Sequence, residues 1–199
     1  MKRLLDIAAA GLGLAALLPL FALIAIAIKC DSRGRVFFKQ LRMGRGFKPF
    51  WIYKFRTMTQ DAPAARAITV GADPRITRVG RFLRKTKLDE LPQLLNILRG
   101  DMTLVGPRPE VPRYVELFHA DYEEILRVRP GLTDLASIKY RDEAAILGRA
   151  DNPEAEYVGR LLPDKIGLAK EYIRRASLVY DLNLIAKTLR TLLERRRTA

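Results

Sequence analysis

The chain has one cysteine, Cys30, and one histidine, His119, among its 199 residues. A lone thiol closes no internal disulfide, and one Cys with one His cannot assemble a Cys/His zinc site, so disulfide-stapled and zinc-finger scaffolds are excluded. Acidic residues are also scarce, 22 against 36 Lys and Arg. Charge is missing altogether between Ile7 and Ile28. There is no internal repeat, no low-complexity tract, and no strand-GxGxxG-helix series around Gly44 and Gly46 that would mark a dinucleotide site. A length of 199 residues allows one compact domain plus an anchor and is short for two ordinary domains.

What is present begins with that charge-free run. As a helix it reaches about 33 Å at a rise of about 1.5 Å per residue, enough to cross a hydrocarbon core of about 30 Å. It is too long for a signal-peptide core, and no small-residue cleavage site follows it. Pro19 lies inside the run, where it removes a helix hydrogen bond and favours a kink. Both flanks are basic, Lys2 and Arg3 before, and Lys29, Arg33 and Arg35 after, so the positive-inside rule asks both ends to stay on one side. A spanning helix and a re-entrant helix bent near Leu18 and Pro19 are both open on these residues. Cys30, at the end of the run, is open to acylation, but a small residue at the lipid interface is the simpler reading.

From Lys29 onward 34 basic and 21 acidic residues leave a formal +13. Such a field attracts polyanions, among them nucleic acid, anionic lipid headgroups and nucleotide diphosphates, and the anchor tilts the choice toward lipid. Residues 33–58 mix aromatic and basic residues between Gly44, Gly46 and Pro49 and predict two short strands or an irregular hairpin. Residues 59–74 predict a mobile loop. Helical, basic character starts at Arg75, and the leucines after Pro92 predict a helix that ends at Gly100. Residues 100–112 predict a shaped loop or tight hairpin, 113–127 an amphipathic helix and 129–134 a second turn. In the C-terminal third, Pro163 marks one helix start and Ser177 the N-cap of another. Leu178, Leu182, Ile185, Leu189 and Leu192 form a stripe on that last helix, read first as core-packing and second as interfacial. Arg195, Arg196 and Arg197 complement its dipole.

Asp89 and Glu90 follow a basic run that includes Arg84, Lys85 and Lys87, and they precede Leu91-Pro92. An adjacent acid pair is usually a solvated surface feature. Here the proline favours a helix N-terminus, where the dipole and the nearby cations favour ionised carboxylates. An ionised Asp there can attack phosphorus or bind a divalent cation. Adjacent side chains on a regular helix diverge by about 100°, so a shared task needs a distorted start or a metal between them. Arg108 stands between Pro107 and Pro109, which suits a guanidinium aimed at a phosphate or carboxylate, with a structural arginine bonding loop carbonyls as the equal alternative.

The segments DSRGRVFFKQLRMGRGF (31–47), YKFRTM (53–58), RKTKLDELPQLLNILRGDMTLVGPRPE (84–110) and RPGLTD (129–134) closely resemble the bacterial sugar transferases, the monotopic phosphoglycosyl transferases. The likeness is colinear over about residues 1–190. It implies that Asp89 attacks the β-phosphate of a UDP-sugar, releases UMP and holds the phosphosugar covalently, after which polyprenyl (undecaprenyl) phosphate takes it. Glu90 is then the dyad partner, Mg²⁺ the cofactor at Asp89 and Glu90, and Arg108 the first phosphate binder, followed by Arg84, Lys85 and Lys87. The same resemblance implies a re-entrant anchor kinked at Leu18-Pro19, a bacterial inner membrane with the catalytic domain on its cytoplasmic face, and contact with anionic lipids but not nucleic acid.

The expected fold is mostly α with a small β element (α+β): an anchor helix at 1–30, then a compact catalytic domain at 31–199 with amphipathic interfacial helices. Two departures stand out. Leu18 replaces the serine that many relatives carry before the kink proline, and Asp134 to Arg141 diverges from the family's usual continuation, which leaves the sugar open. A homodimer through exposed loops and the C-terminal stripe is neither required nor forbidden. A basic membrane scaffold and a membrane-bound nucleotide-sugar pyrophosphatase are the competing readings.

Overall fold

A stretch of Leu, Ala and Ile without charge favours a helix, and Lys2–Asp31 forms one, α1, helical through Leu18 and Pro19. Residues 2–59, 68, 70–71 and 73–197 are described in the computed structural model, with side chains as far as residue 191. Most of the predicted 59–74 loop lies outside them. Helix α1 is long and apolar enough to cross a membrane, with a mean hydropathy of 2.5 over its most apolar window, and only 11% of that window is buried. Its inward stripe repeats every three to four residues: Ala10, Leu14, Leu17, Ile24 and Ile28 all belong to apolar clusters shared with the rest of the chain. Leu4, Leu12, Leu18 and Leu23 point outward, each more than half exposed.

Both ends of α1 are tied to the same body. At the start, Lys2 Nζ donates to Val105 O and to Tyr172 and lies 2.7 Å from Asp181. Arg3 donates to the carbonyls of Ile97 and Leu98. Asp6, buried in spite of its charge, accepts from the Thr103 hydroxyl at 2.6 Å and from the Leu104 N–H. At the other end, Arg56 donates to Ile28 O and Ser32 O, and Asp31 accepts from Val79 N. The charges beside the apolar run therefore hold the helix against the protein.

Strands β1 (Phe37–Met43) and β2 (Pro49–Phe55) form the predicted hairpin, antiparallel with Lys39 opposite Tyr53 and Leu41 opposite Trp51. The turn carries positive φ at Gly46 (67°) and Phe47 (58°). Helix α2 (Arg78–Thr86) starts where the Thr77 side chain caps Gly80 N, and ends at Lys87, whose φ of 59° breaks it. A 3₁₀ turn, Leu88–Gln93, follows and carries the two acids in its first turn. Helix α3 (Leu94–Arg99) ends at Gly100 with φ 94°, as its leucines predict. Buried Asn96 pins α3 to the outer edge of β2, accepting from Tyr53 N and donating to Trp51 O.

The two Gly- and Pro-rich segments back directly onto each other. Each contains a short strand, β3 (Thr103–Val105) and β4 (Gly131–Thr133), paired in parallel. A Cβ on Gly131 would sit 2.1 Å from Gly106 N, so the approach admits only glycine. Gly131 N donates to Pro107 O, fixing the loop that presents Arg108.

The predicted 113–127 helix is two helices, α4 (Pro112–Leu117) and α5 (His119–Ile125). The break at Phe118 lets Tyr114 and Val115 of one and Tyr122 and Ile125 of the other enter a single cluster. Short helices α6 (Leu135–Lys139), α7 (Glu143–Leu147) and α8 (Pro153–Glu156) lead through a π-turn at Tyr157–Leu161 into α9 (Leu162–Arg175). Pro163 is in the first turn of α9, as expected.

Helix α10 (Leu178–Arg197) is capped by Ser177, whose Oγ accepts from Tyr180 N. Its core-packing stripe is a correction. Leu178, Leu182 and Leu189 are exposed, only Ile185 of the described stripe is half-buried, and the inward face is Asp181 and Leu184 with Thr188 bonded to Thr133. A buried Asp and a bonded Thr make that face more polar than the outward one, which is why apolar periodicity pointed the wrong way. The side chains of Leu192, Arg195, Arg196 and Arg197 lie outside the described residues.

Candidate active site

The 3₁₀ turn places Asp89 and Glu90 in the wall of a cleft of about 1880 Å³, in which basic side chains outnumber acidic ones three to one. Successive residues of a 3₁₀ turn diverge by about 120°, so the two acids meet different partners. Glu90 is held by two cations: Lys54 Nζ lies 2.6 Å from its Oε1, and the Arg108 guanidinium bonds to both of its oxygens. Arg108 also reaches the Ser137 hydroxyl at 3.3 Å. Asp89 is buried at 8% exposure, and its Oδ1 has no hydrogen-bond partner. The adjacent acids thus have opposite settings, one saturated with donors and one bare.

Their ionisation differs accordingly. Burial pushes the Asp89 carboxyl above the ordinary range and the Glu90 charge adds to that, with Lys54, Lys87 and Arg84 opposing. Burial also pushes Glu90 upward, but Arg108, Lys54 and Lys87 outweigh it and hold that carboxyl well below the usual carboxylate range. Lys54 is pushed down by burial, with Glu90 opposing, and Arg108 is driven up by Glu90. The two carboxyls are thus shifted in opposite directions, and Arg84, Lys85 and Lys87 line the same wall.

The structure therefore brings Asp89, Glu90 and Arg108 together, as the sequence predicts, and sets Arg84, Lys85 and Lys87 around them without direct bonds to the pair. Leu18 and Pro19 are elsewhere, on the outward face of α1. Lys54 is the residue that sequence reading missed. It stands in the YKFRTM strand, whose aromatic and basic character was visible, but only the hairpin brings it to Glu90. Glu110, at the end of the GPRPE segment, was missed too; it accepts from Arg42 and from the Tyr157 hydroxyl and closes the back of the cleft.

Among the described residues no group of three or more His, Cys, Asp or Glu could cage a metal. Asp89 Oδ1 still fits a divalent cation of the kind that takes one or two carboxylates and completes its shell with water and substrate phosphate. Glu90 fits less readily, because its oxygens are already bonded to Lys54 and Arg108.

A cationic cleft with an unpartnered carboxyl oxygen, at the end of a helix long and apolar enough to cross a membrane, is suited to binding phosphate groups. Comparison with known proteins makes this specific: a family model for bacterial sugar transferases matches residues 1–195, and the chain belongs to that family. It is 42% identical over 197 residues to a UDP-glucose:undecaprenyl-phosphate glucose-1-phosphate transferase of Caulobacter vibrioides, covering 96% of this chain and 69% of the relative. It is 38% identical over 199 residues to a UDP-N-acetylgalactosamine-undecaprenyl-phosphate N-acetylgalactosaminephosphotransferase of Aeromonas hydrophila, covering 97% and 44%. It is 38% identical over 198 residues to the exopolysaccharide production protein PSS of Rhizobium leguminosarum bv. phaseoli, covering 95% and 93%. The chain is a phosphoglycosyl transferase and covers between 44% and 93% of the length of these three relatives.

Proposed function

We propose that this enzyme transfers a sugar phosphate from a UDP-sugar to polyprenyl phosphate by way of a covalent bond to Asp89. The observation that carries the reading is the contrast within the dyad: Asp89 Oδ1 is buried and unpartnered, while Glu90 is fully engaged. Oδ1 attacks the β-phosphorus; the bond from that phosphorus to the oxygen shared with the α-phosphate breaks, and UMP leaves with the oxygen and the electron pair. The phosphosugar is then an acyl phosphate on Asp89. An oxygen of the acceptor's phosphate attacks the same phosphorus, and Asp89 departs as carboxylate. Arg108, fixed by Glu90 and by the Pro107 loop, brings its positive charge to the cleft wall, where it attracts the donor phosphates. Mg²⁺, held by Asp89 with or without Glu90, supplies charge neutralisation between carboxylate and diphosphate when bound. The relatives' names give glucose and N-acetylgalactosamine as sugars, and the donor here is one of this class.

The acceptor side rests on α1. We infer a re-entrant or surface-lying anchor at the cytoplasmic face of the inner membrane. A helix whose first turn, middle and last turn all touch one domain is poorly placed to cross a bilayer with that domain on one side. Lys29, at the end of α1, lines the cleft, so a lipid-borne phosphate has a short path to Asp89.

The test is UMP release by protein in detergent with Mg²⁺ and a panel of UDP-sugars, with and without undecaprenyl phosphate, for wild type and Asp89→Asn. Acceptor-dependent release that disappears in the variant supports the reading and identifies the donor. A variant as active as wild type removes Asp89 as nucleophile. Free sugar phosphate in place of a lipid-linked product points to hydrolysis.

A further inference from the structure

Of the hairpin face that carries Lys39, Leu41, Trp51 and Tyr53, only Lys39 also lines the cleft. Its strand partners Leu41 and Trp51 stand opposite each other, and Trp51 is 53% exposed. Beside them the Tyr53 ring is flanked by two cations, Lys39 Nζ at 5.2 Å and the Arg99 guanidinium at 4.9 Å from its centroid. Arg99 also donates to the Tyr53 hydroxyl. Lys39 and Arg99 are exposed, and among the described residues neither pairs with a carboxylate. An exposed tryptophan with a tyrosine between two unneutralised cations is a combination that water alone does not reward.

The face is continuous with the anchor. Arg3 of α1 bonds to the carbonyls of Ile97 and Leu98, the next residue is Arg99, and Arg99 lies on Tyr53. On either side of Asn96, which pins α3 to β2, Leu95 and Leu98 are themselves partly exposed. Aromatic side chains with one wet end and cations with long apolar stems are the groups that settle at the boundary between acyl chains and headgroups.

We propose that this hairpin face is a second membrane contact, with Trp51 and Leu41 at the acyl boundary and Lys39, Arg99 and Tyr53 on the headgroups of anionic phospholipid. It rests on the membrane reading of α1. Its role is to fix the rotation of the catalytic domain about the anchor, which a single helix does not set by itself. Each cation near an anionic surface contributes on the order of 1 kcal/mol, so Lys39 and Arg99 together weight anionic over neutral lipid by about thirtyfold for this face.

Trp51 is the chain's one tryptophan, so its fluorescence reports this face without labelling. The full chain is reconstituted into phosphatidylcholine vesicles with and without phosphatidylglycerol, floated on a density gradient, and its emission is read with acyl-brominated lipid and with acrylamide in the water. The expected result is flotation, a blue-shifted emission that loses most of its intensity to brominated lipid, and protection from acrylamide that is greater with phosphatidylglycerol. In the double variant Lys39→Gln, Arg99→Gln that added protection disappears while flotation persists. Protein that floats while Trp51 stays open to acrylamide and unquenched by bromine overturns this face as a contact and leaves the anchor standing. Protein that does not float overturns the membrane reading and this proposal with it.

Discussion

Lys54 Nζ and Glu90 Oε1 are 2.6 Å apart, joining the far end of a hairpin strand to the acid next to the proposed nucleophile. This bond, with the Arg108 fork on the same carboxylate, separates the tasks of two adjacent acids: one organises cations and the other is left bare to react.

Lys54→Met should lower the rate of UMP release by about 100-fold or more, in line with the loss of a charge that preorganises a reacting site. Stability should fall by about 1–3 kcal/mol, since Glu90 keeps Arg108 but loses one buried partner. Single-turnover kinetics and urea unfolding in detergent separate the two effects. An unchanged rate would remove Lys54 from the site's machinery.

Arg108→Lys keeps the charge but loses the fork that spans both Glu90 oxygens. A point charge replaces planar two-point recognition, so the expected loss is about 10–100-fold in kcat/KM, with Arg108→Ala worse. Equal activity in the Lys variant would mean that only charge is needed at this position.

Sequence reading gave the hairpin, the helix ending at Gly100, and the helix starts at Pro163 and Ser177, because each is written in a few neighbouring residues; it also named Glu90 and Arg108, which the fold brings into contact. Lys54 escaped because 35 positions separate it from Asp89 and only strand register carries it to the cleft. The α10 stripe misled for the opposite reason: apolar residues were plainly periodic, yet the face turned inward is the one with Asp181, Leu184 and Thr188. Lys2 and Arg3 had been weighed as topology signals, and the role of Lys2, Arg3 and Asp6 as ties to Asp181, α3 and β3 appears only once the chain is folded.

Asp6→Leu separates these two views of the N-terminus. By hydropathy alone the change makes a better membrane segment. The structure predicts instead a loss of about 1–3 kcal/mol, because the buried Thr103 hydroxyl and the Leu104 N–H lose their acceptor. Thermal unfolding of the two proteins in one detergent decides it: an unchanged or raised Tm sinks the prediction.

Gly131→Ala would push a methyl group to within 2.1 Å of Gly106 N and force β3 from β4. The cost should exceed about 3 kcal/mol, above the common range for overpacking, and take with it the loop that holds Arg108. The readout is the yield of folded protein together with UMP release. A folded, active variant would show that the two strands can separate without disturbing the cleft.

Anchor and catalytic body share two apolar clusters, through Ala10 in one and Ile24 and Ile28 in the other. Neither part is therefore a finished object without its neighbour. A fragment begun after Asp31 would carry a bare greasy trough where α1 lay, and would be prone to self-association in water. The isolated helix would enter lipid with Asp6 unprovided for. The two clusters therefore couple the stability of the anchor helix to that of the catalytic body.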